Sequence, residues 1–541
     1  MGRLAWLRVV IGLCLAMCAR IAFGDPYDVV VYGGTAGGVT AAVQAARMGK
    51  RAVLIEPGRH VGGLTSGGLG ATDIGNKQVI GGLSREFYER VAQHYGDDNA
   101  WRWQKRDTYR SARQASGDNA MWTFEPHVAE AILRRMLEEH GVDVYFEQPL
   151  LRPGGVDKVD GRIQSITMED GKSFAGRMFV DATYEGDLLA EAGVSFHIGR
   201  EANATYGETL NGVQVAQAKY HQFNHAVDPY MTPGDPASGL LPNIEGEPPG
   251  EDGAEDRRVQ AYNFRMCLTD VKENQISWPK PEGYDPLQYE LLARYFAAGL
   301  DIVPWHNTGM PNRKTDINNN GGFSTDYIGK NYDYPEASHA ERKQIFAAHV
   351  QYQQGLMWFL AHDERVPANV QKEVNRWGLC RDEFEETGGW PHQMYVREAR
   401  RMVSDLVMSQ HHCQGRALAE DPIGMAAYTM DSHNTQRYVR DGVAKNEGDV
   451  QVGRFPPYPI GYLSIVPREG ECKNLLVPVC LSATHIAYGS IRMEPVFMVL
   501  GQSAATAACI AIDADVSVQQ VDRGRLRARL QADGQVLSHS G

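Results

Sequence analysis

The chain has 541 residues, 43% hydrophobic and 22% charged, which predicts a globular protein of two closely joined domains. The formal net charge of -13 argues against a surface that binds nucleic acid, because a phosphate backbone requires clustered lysine and arginine side chains. We therefore expect no nucleic-acid partner.

The N-terminal residues 1–24 have the pattern of a signal peptide. Two arginines precede an apolar run over residues 9–17, and Ala22-Phe23-Gly24 is a small-x-small cleavage signal. A non-cleaved anchor is the alternative, although the segment is short for a spanning helix. We predict cleavage after Gly24, a periplasmic or secreted protein, and no stable membrane span in the mature chain.

Residues 27–56 have the pattern of one βαβ unit. The β-branched run 28–32 predicts a buried parallel strand, and an alanine-rich helix pattern covers residues 39–48. A second strand over residues 51–55 ends at Glu56. A carboxylate at this position can accept hydrogen bonds from both hydroxyls of an adenosine ribose.

The turn between this first strand and the helix has the glycine fingerprint of a dinucleotide site. It consists of small residues only: Gly33, Gly34, Thr35, Ala36, Gly37 and Gly38. Small residues let backbone N–H groups reach a pyrophosphate at the helix N-terminus. Thr35 stands where the middle glycine is usual. The order of strand, turn, helix, strand and acid predicts an adenine dinucleotide site, and the alternative is a structural turn without a ligand.

A second glycine-rich segment follows over residues 62–70. Glycine allows the backbone to lie close to something flat or charged, which predicts a segment that covers the cofactor. A mobile surface loop is the alternative. An NAD-dependent dehydrogenase would continue here into another plain βαβ unit, and this chain does not.

The next segments predict helices over residues 82–96 and 125–139, where Pro126 suits the first turn of the second helix. A strand over residues 142–146 is followed by a β-meander over residues 162–177 and an apolar return strand over residues 178–182. This combination is expected in the large FAD domains and is foreign to simple NAD dehydrogenases.

The middle of the chain carries most of the aromatic residues and histidines. It predicts helices near residues 286–298, 337–363 and 394–409, the last of which includes Arg397. Residues 314–320 predict a polar turn whose side chains could bind a cation or cap the loop itself. We predict no metal site.

The C-terminal block predicts a buried strand over residues 475–481, a small-residue helix over residues 496–512 and a short helix over residues 525–530. The predicted fold class is α/β (α+β overall), with a parallel sheet and a β-meander in a Rossmann-like FAD-binding domain. We expect the following division: a signal peptide over 1–24, the FAD-binding domain over 25–194 and 456–525, an inserted substrate or cap domain over 195–455, and a tail over 526–541.

Four stretches carry motifs that resemble known proteins: VVVYGGTAGGVTAAVQAARMGKRAVLIEPGRHVGGLTSGGLGATD (29–73), FVDATYEGDLLAEAG (179–193), DPIGMAAYTMDSHNTQRYV (421–439) and HIAYGSIRMEPVFMVLGQSAATAA (485–508). The first two resemble the large FAD-dependent oxidoreductase family related to the fumarate reductase flavoproteins. The last two are similar to segments of an exported bacterial subgroup that is often labelled "xanthan lyase".

The resemblance implies where FAD binds. It assigns the FAD pyrophosphate to Gly33 through Gly38 and the ribose to Glu56. It also implies contacts nearer the flavin: Gly62, Gly63 and Leu64 along the cofactor, Ser482 at the ribityl chain, Arg492, Met493 and Glu494 beside the isoalloxazine ring, and Gly501 in the helix that points toward it.

A flavin enzyme of this kind needs a group that accepts the proton of the substrate heteroatom, and histidine is the first candidate. His485 lies next to the predicted flavin turn, and His433 and His392 are second choices. The alternative for His485 is a buried, satisfied hydrogen bond. Arg492 and Arg397 are candidates for orienting the substrate or stabilising the reduced flavin.

We therefore expect an exported FAD-dependent oxidoreductase that transfers a hydride between FAD and a small polar organic substrate, for which a carbohydrate-derived alcohol is the working guess. The sequence leaves the electron acceptor and the direction of the reaction open. The alternatives are an NAD-dependent dehydrogenase and a polysaccharide lyase or carbohydrate-binding protein.

Overall fold

The computed structural model describes residues 26–114 and 117–539. The predicted signal peptide lies outside the described residues. The fold is mixed α/β, as the sequence predicted, with a mostly parallel sheet at its centre. Within the described part of the chain, one helix, Glu494–Ala514, has the length and apolar composition of a membrane span, and it is completely buried inside the protein.

The described residues form twenty strands: β1 (Tyr27–Tyr32), β2 (Ala52–Ile55), β3 (Asp143–Tyr145), β4 (Val156–Val159), β5 (Arg162–Thr167), β6 (Ser173–Asp181), β7 (Phe196–His197), β8 (Cys267–Thr269), β9 (Gln275–Ile276), β10 (Trp305–Met310), β11 (Lys314–Asn319), β12 (Gly378–Cys380), β13 (Arg401–Met402), β14 (Pro422–Ala426), β15 (Met430–Asp431), β16 (Gln436–Arg440), β17 (Val443–Glu447), β18 (Gln451–Val452), β19 (Tyr458–Gly461) and β20 (Leu475–Leu476).

The same residues form twelve α-helices: α1 (Ala36–Arg47), α2 (Gly82–His94), α3 (Pro126–Glu139), α4 (Asp187–Glu191), α5 (Asn203–Tyr206), α6 (Glu290–Ala297), α7 (His339–His362), α8 (Ala368–Arg376), α9 (Gln410–Cys413), α10 (His485–Ile491), α11 (Glu494–Ala514) and α12 (Arg523–Ala532). Short 3₁₀-helices cover Lys77–Val79, Asp98–Ala100, Arg106–Thr108, Pro236–Ser238, Lys272–Asn274, Pro286–Tyr289, Pro311–Arg313, Glu385–Thr387, Tyr462–Ile465 and Val518–Gln520.

The largest sheet has the strand order β3-β2-β1-β6-β5-β4, and β20 also pairs with β6. The β1–β2, β2–β3, β1–β6 and β20–β6 pairs are parallel, whereas β4, β5 and β6 form an antiparallel meander. Val29, Val30 and Val31 in β1 are fully buried, as expected for a central strand covered on both faces. The carboxyl ends of β1, β2 and β6 therefore meet at one edge of the sheet.

Helices α1 and α11 pack closely because both carry small residues where they cross. A Cβ atom added to Gly501 in α11 would lie 2.0 Å from the carbonyl oxygen of Gly37 in α1. Thr40 of α1 donates its hydroxyl hydrogen to the carbonyl oxygen of Met498, 2.8 Å away. The N-terminal turn of α11 is thus held beside the glycine-rich turn that begins α1.

A second sheet of five strands has the order β10-β11-β8-β12-β9, and all of its pairs are antiparallel. The predicted polar turn over residues 314–320 is wrong, because this segment is strand β11. Its Lys314 and Asp316 are buried and ion-paired, Asp316 with Arg265 at 2.7 Å. Because oppositely charged residues from other segments pair with Lys314 and Asp316, these polar residues lie in a buried strand and not in a surface turn.

The predicted helix over residues 394–409 is also wrong. The segment is irregular apart from the short strand β13, and α9 begins only at Gln410. Its arginines are held by acids from elsewhere in the chain: Arg397 lies 2.9 Å from Asp326, and Arg401 lies 2.6 Å from Glu201. The close spacing of arginines in this segment therefore reflects separate buried ion pairs and not one face of a helix.

Candidate functional site

A cavity of about 570 Å³ lies where the carboxyl ends of β1, β2 and β6 meet. We call it the dinucleotide cavity. Gly33 and Thr35 after β1, Glu56 after β2, and Thr183 and Tyr184 after β6 contribute to its wall. Ligands of open parallel sheets bind at this edge, in the crevice outside the carboxyl ends of the strands. The predicted turn and the predicted acid are thus brought to one cavity.

Glu56 is fixed in this cavity by the backbone of two glycines. Its Oε2 accepts a hydrogen bond from the N–H of Gly34, and its Oε1 accepts one from the N–H of Gly58, each 2.6 Å long. Burial raises the pKa of Glu56 to about 7, and these backbone hydrogen bonds oppose the rise. Each carboxylate oxygen keeps a second lone pair, so that the side chain can still accept ribose hydroxyls.

Thr35 has a structural role that explains why it can replace a glycine. Its hydroxyl donates to the carbonyl oxygen of Ala182 at 2.7 Å and accepts from the N–H of Gly38 at 3.2 Å. Thr35 therefore caps α1 and ties the turn to the end of β6. The first N–H groups of a helix have no partner within the helix, which leaves them available to an anion such as a pyrophosphate.

Glu494, the first residue of α11, joins this helix to the second glycine-rich segment. Tyr184 donates its hydroxyl hydrogen to Glu494 at 2.7 Å and accepts from the N–H of Leu64 at 2.9 Å. Thr65 donates to the other carboxylate oxygen of Glu494 at 2.9 Å. Burial raises the pKa of Glu494 to about 7. Tyr184 lies in the FVDATYEGD motif but is not among the site residues predicted from the sequence.

Two further glycines show how tightly the second glycine-rich segment packs. A Cβ atom on Gly63 would lie 2.3 Å from the hydroxyl oxygen of Tyr184, and one on Gly62 would lie 2.7 Å from Leu133 and Ser66 side-chain atoms. Both glycines have positive φ angles of 53° and 104°, respectively, which side chains rarely adopt. The segment can thus follow the wall of the dinucleotide cavity closely.

Three other residues that the resemblance assigns to FAD contact protein groups. Ser482 is buried and accepts a hydrogen bond from the N–H of Ser404 at 3.1 Å. Met493 is the N-cap of α11, and Gly501 packs against α1. Their roles in binding FAD stay predictions.

Arg397 and Arg492 lie against the same aromatic ring. Arg492 donates to the hydroxyl oxygen of Tyr395 at 2.8 Å and to the carbonyl oxygen of Asp431 at 2.9 Å. The guanidinium carbon of Arg397 lies 4.6 Å from the centre of the Tyr395 ring, and that of Arg492 lies 5.6 Å from it. Two residues that are far apart in sequence therefore place positive charge at one location.

The three candidate histidines occupy different environments. His485 is buried at the start of α10, with Nδ1 2.8 Å from Glu398, and it is not among the described residues that line the dinucleotide cavity. His392 lines the dinucleotide cavity and stacks on His60 with ring centres 3.8 Å apart. Burial lowers the pKa of His392 to about 3. The catalytic role of His485 stays a prediction.

His433 lines a second cavity of about 600 Å³, which we call the polar cavity. Its Nδ1 lies 3.0 Å from Asp326 Oδ2, and its Nε2 lies 3.8 Å from Asp431 Oδ2. His221 lines the same cavity, with Nδ1 2.7 Å from Asp449. These acids and His221 are not among the site residues predicted from the sequence. The alternation of Asp431 and His433 in the MDSHN motif was the available signal.

Burial has opposite effects on the two groups that face each other in the polar cavity. It lowers the pKa of His433 to about 4, assisted by the positive charge of Arg397. It raises the pKa of Asp431 to about 7, which Arg492 opposes. Titratable groups with pKa values shifted by burial and by specific charges are typical of functional sites.

The second glycine-rich segment and the three residues that follow it, up to Asp73, connect the two cavities along the chain. Gly63 lines the dinucleotide cavity, and Asp73 lines the polar cavity ten positions later. Between them, Gly68 packs against the carbonyl oxygen of Arg265, which would lie 1.9 Å from an added Cβ atom. Arg492, directly before the cap of α11, contacts Asp431 of the polar cavity. Two segments, the chain from Gly63 to Asp73 and the residues just before α11, thus lead from the dinucleotide cavity to the polar cavity.

Glu125, His127 and Glu383 are close enough together to hold a metal ion. A buried lysine already supplies the positive charge, because Lys314 Nζ lies 2.8 Å from Glu125 and 2.6 Å from Glu383. Asp382 also lies 2.8 Å from this nitrogen. The cluster is therefore explained as an internal ion-pair network.

Replacing Lys314 by methionine is expected to lower the free energy of unfolding by about 3 kcal/mol, because it leaves buried carboxylates without a cation. Urea unfolding at pH 7 measures this change. Lys330 is exposed, and Lys330→Met is the matched control, with an expected change below about 0.5 kcal/mol. Equal stability of both variants would contradict a role for Lys314 in holding the acids.

Comparison with known protein families agrees with the type of site. A family model described as "FAD dependent oxidoreductase" matches residues 28–530. Similar solved structures include a flavin monooxygenase variant from Stenotrophomonas maltophilia, with 16% identity over 29% of this chain and 38% of that chain and a TM-score of 0.19. They also include L-amino acid deaminase from Proteus vulgaris, with 17% identity over 34% of this chain and 54% of that chain and a TM-score of 0.23. The matches thus span about two fifths to one half of those two chains.

A geranylgeranyl bacteriochlorophyll reductase-like protein from Thermoplasma acidophilum is similar over more of its length (12% identity, 94% of this chain, 84% of that chain, TM-score 0.33). No curated protein matches the sequence.

Proposed function

The chain belongs to the FAD-dependent oxidoreductase family, whose model covers residues 28–530, and from this premise we propose that it is an exported enzyme that transfers a hydride between FAD and a small polar organic substrate. The observation that carries the proposal is the dinucleotide cavity at the carboxyl ends of β1, β2 and β6. The relation of this family to the fumarate reductase flavoproteins is part of the proposal and is supported by the motifs over residues 29–73 and 179–193. Assignment to the exported subgroup often labelled "xanthan lyase" is also part of it and is supported by the motifs over residues 421–439 and 485–508.

The residues of the dinucleotide cavity fit FAD. The N-terminus of α1 offers backbone N–H groups to a pyrophosphate, and Glu56 offers two acceptor oxygens to a ribose. The cavity volume of about 570 Å³ lies in the ordinary range for cofactor sites. Gly63 and Leu64 would continue the site toward the N-terminus of α11, where Glu494 is held by Tyr184.

FAD, when bound, supplies a carrier that accepts or returns a hydride. The protein contributes the surroundings of that chemistry. Arg397 and Arg492, which both contact Tyr395, supply buried positive charge that can stabilise negative charge developing beside them. The polar cavity, to which Arg492 is hydrogen-bonded through Asp431, supplies room for a small substrate.

Export and substrate class complete the proposal. Export is supported by the signal-peptide pattern of residues 1–24. A carbohydrate-derived alcohol is supported by the label of the similar subgroup. An NAD-dependent dehydrogenase, a polysaccharide lyase and a carbohydrate-binding protein are disfavoured, because a flavoprotein family model covers nearly the whole chain.

The test begins with the absorption spectrum of the purified protein, which is expected to show flavin bands either as isolated or after reconstitution with FAD. An anaerobic screen of sugars, polyols and hydroxy acids then measures bleaching of these bands. We expect at least one of these donors to reduce the flavin, and cell fractionation is expected to recover the protein outside the cytoplasm. A protein without flavin in both preparations, or a flavin that no donor reduces, would refute the enzymatic proposal.

A further inference from the structure

We propose that the polar cavity is the substrate site, that it takes a neutral polyhydroxylated compound such as a sugar, and that Nε2 of His433 accepts the proton of the hydroxyl group that is oxidised. This inference rests on the proposed function and extends it to a substrate class and a catalytic residue. It is carried by the position of the cavity, the geometry of His433 and the character of the cavity wall.

Two segments link the polar cavity to the dinucleotide cavity, in which we propose that FAD binds. The segment that starts in the wall of the dinucleotide cavity at Gly63 ends in the wall of the polar cavity at Asp73. Arg492, beside the N-terminus of α11, donates a hydrogen bond to the backbone of Asp431, which also lines the polar cavity. A substrate in the polar cavity would thus lie beside the same two segments, the chain from Gly63 to Asp73 and the residues just before α11, that we propose to approach the flavin.

His433 is held in the form that a base requires. Asp326 Oδ2 lies 3.0 Å from Nδ1, and the positive charge of Arg397 together with the hydrogen bond from His433 holds the pKa of Asp326 at about 2 against the effect of burial. An ionised carboxylate only accepts hydrogen bonds, so that Nδ1 carries the proton and Nε2 keeps a free lone pair. The low pKa of His433 keeps the ring neutral at pH 7.

The groups that face His433 come from several segments. Asp326 and Arg397 lie on its Nδ1 side, whereas Asp431 lies 3.8 Å from Nε2. His221, paired with Asp449, stacks with its ring centre 6.3 Å from that of His433. No other imidazole among the described residues that line this cavity is paired to two carboxylate side chains in this way.

The cavity wall matches a neutral polyol. Six side-chain amides line it, each able to donate and accept hydrogen bonds: Gln222, Asn224, Asn318, Asn319, Asn320 and Gln451. Two carboxylates, Asp73 and Asp431, and a single lysine, Lys219, line the cavity, and no arginine is among the described residues that line it. This balance disfavours an anionic substrate. Tyr220 and Tyr428 add aromatic surface against which the C–H groups of a sugar ring can pack.

The proposed step conserves atoms and electrons. The carbinol C–H bond breaks, and its electron pair leaves with the hydrogen as a hydride, for which FAD, when bound, would be the acceptor. The O–H bond breaks, its proton passes to Nε2 of His433, and the carbon becomes a carbonyl carbon. Asp326 stabilises the imidazolium that forms, as expected for a carboxylate hydrogen-bonded to the other ring nitrogen.

The first experiment is anaerobic stopped-flow reduction of the FAD-loaded protein by D-glucose, D-galactose and myo-inositol, compared with glycolate and D-gluconate. We expect reduction by at least one neutral compound and none by the two anions. In His433→Asn, the amide can still donate to Asp326 but offers no basic nitrogen. Its limiting rate is therefore expected to fall roughly 100- to 1000-fold, with less than about a threefold change in half-saturating sugar concentration and unchanged FAD content.

His349 provides the matched control. It is buried, its pKa is also lowered to about 4 by burial, and it is not among the described residues that line either cavity. In His349→Asn, the sugar is expected to reduce the flavin at the wild-type rate. This comparison separates the loss of a base in the polar cavity from the general effect of replacing a buried histidine.

A second readout does not depend on activity. In NMR spectra of protein with ¹⁵N-labelled histidine, the signals of His433 are identified by their loss in His433→Asn. Their chemical shifts are expected to be those of a neutral ring with the proton on Nδ1, at pH 7 and down to about pH 5. A charged ring or an Nε2–H form at pH 7 would overturn the role of His433, as would an unchanged rate in His433→Asn. Reduction by the anions alone would overturn the substrate class. A protein that binds no FAD, or that no donor reduces, fails the proposed function instead.

Discussion

Replacing Gly38 by alanine is expected to abolish FAD binding, although the change adds a single methyl group. The new Cβ atom would lie 1.9 Å from the carbonyl oxygen of Gly33 and 3.2 Å from the side chain of Ala182. Real Cβ atoms do not approach a backbone oxygen this closely, so that the turn between β1 and α1 must move. Since this turn holds the cap of α1 and the ligand-facing N–H groups, the pyrophosphate site is lost with it.

The measurement is the ratio of flavin absorbance to protein after reconstitution with FAD, together with the free energy of unfolding of the apoprotein. We expect flavin below detection and a loss of about 3 kcal/mol from overpacking. Gly309→Ala is the matched control, because no described atom lies within 4 Å of its added Cβ atom. Normal flavin content in Gly38→Ala would show that the turn can yield and would remove it as the anchor of the pyrophosphate.

The meeting of the glycine-rich turn and Glu56 in one cavity could be predicted because these parts are close in the sequence. Gly34 and Glu56 form a hydrogen bond across only 22 positions. One strand, one turn, one helix and one more strand bring them together, and each of these elements has a clear local pattern. The same is true of helices α2 and α3, whose observed bounds, Gly82–His94 and Pro126–Glu139, closely follow the predicted ones.

The surroundings of Glu494 and of the polar cavity depend on contacts that no local pattern shows. Tyr184 reaches Glu494 across 310 positions, and Asp326 reaches His433 across 107. The sequence named Glu494 only through a family resemblance, and it named His433 only as a second choice. A hydrogen bond between such distant residues follows from the packing of the whole chain, which spacing within a motif cannot supply.

The two wrong elements have one common cause. The polar sequence over residues 314–320 predicts a turn, and residues 394–409, which include Arg397, predict a helix. In the structure, Arg265 neutralises Asp316, Asp326 neutralises Arg397, and all four side chains are buried. Patterning rules assume that charge indicates solvent, and they fail where a fold buries ion pairs of high sequence separation.

The second large effect is expected at Asp187, where one buried carboxylate holds three arginines. Arg342 of α7 binds both of its oxygens at 2.6 and 2.9 Å, Arg400 lies 2.8 Å away, and Arg152 also donates to it. Burial alone would raise the pKa of Asp187, but these guanidinium groups hold it at about 2. Asp187→Asn keeps the shape of the side chain and removes the charge.

We expect Asp187→Asn to lose about 5 kcal/mol of unfolding free energy at pH 7, because three buried or nearly buried guanidinium groups lose their common partner. Urea unfolding measures the loss. Asp513, which forms an exposed pair with Lys50, provides the control Asp513→Asn, with an expected loss below about 1 kcal/mol. The pKa of Asp187 is depressed on folding, so its contribution is complete above the unfolded value near 4 and disappears as the pH falls toward 2. The difference in unfolding free energy between wild type and Asp187→Asn should therefore become smaller as the pH falls from about 4 toward 2.

Asp187 and Arg342 both line the dinucleotide cavity, so the same substitution also tests whether α7 supports the cofactor. Loss of the ion pairs should release the start of α7 from the edge of the cavity and weaken FAD binding roughly tenfold or more in the protein that remains folded. Equilibrium titration with FAD at 10 °C measures this effect, after circular dichroism has established that the variant is folded at that temperature. If stability falls while the affinity for FAD is unchanged, Asp187 joins the segments of the fold without shaping the cofactor site. If neither changes, the three arginines find other partners, and the cluster is not the link between α7 and the sheet.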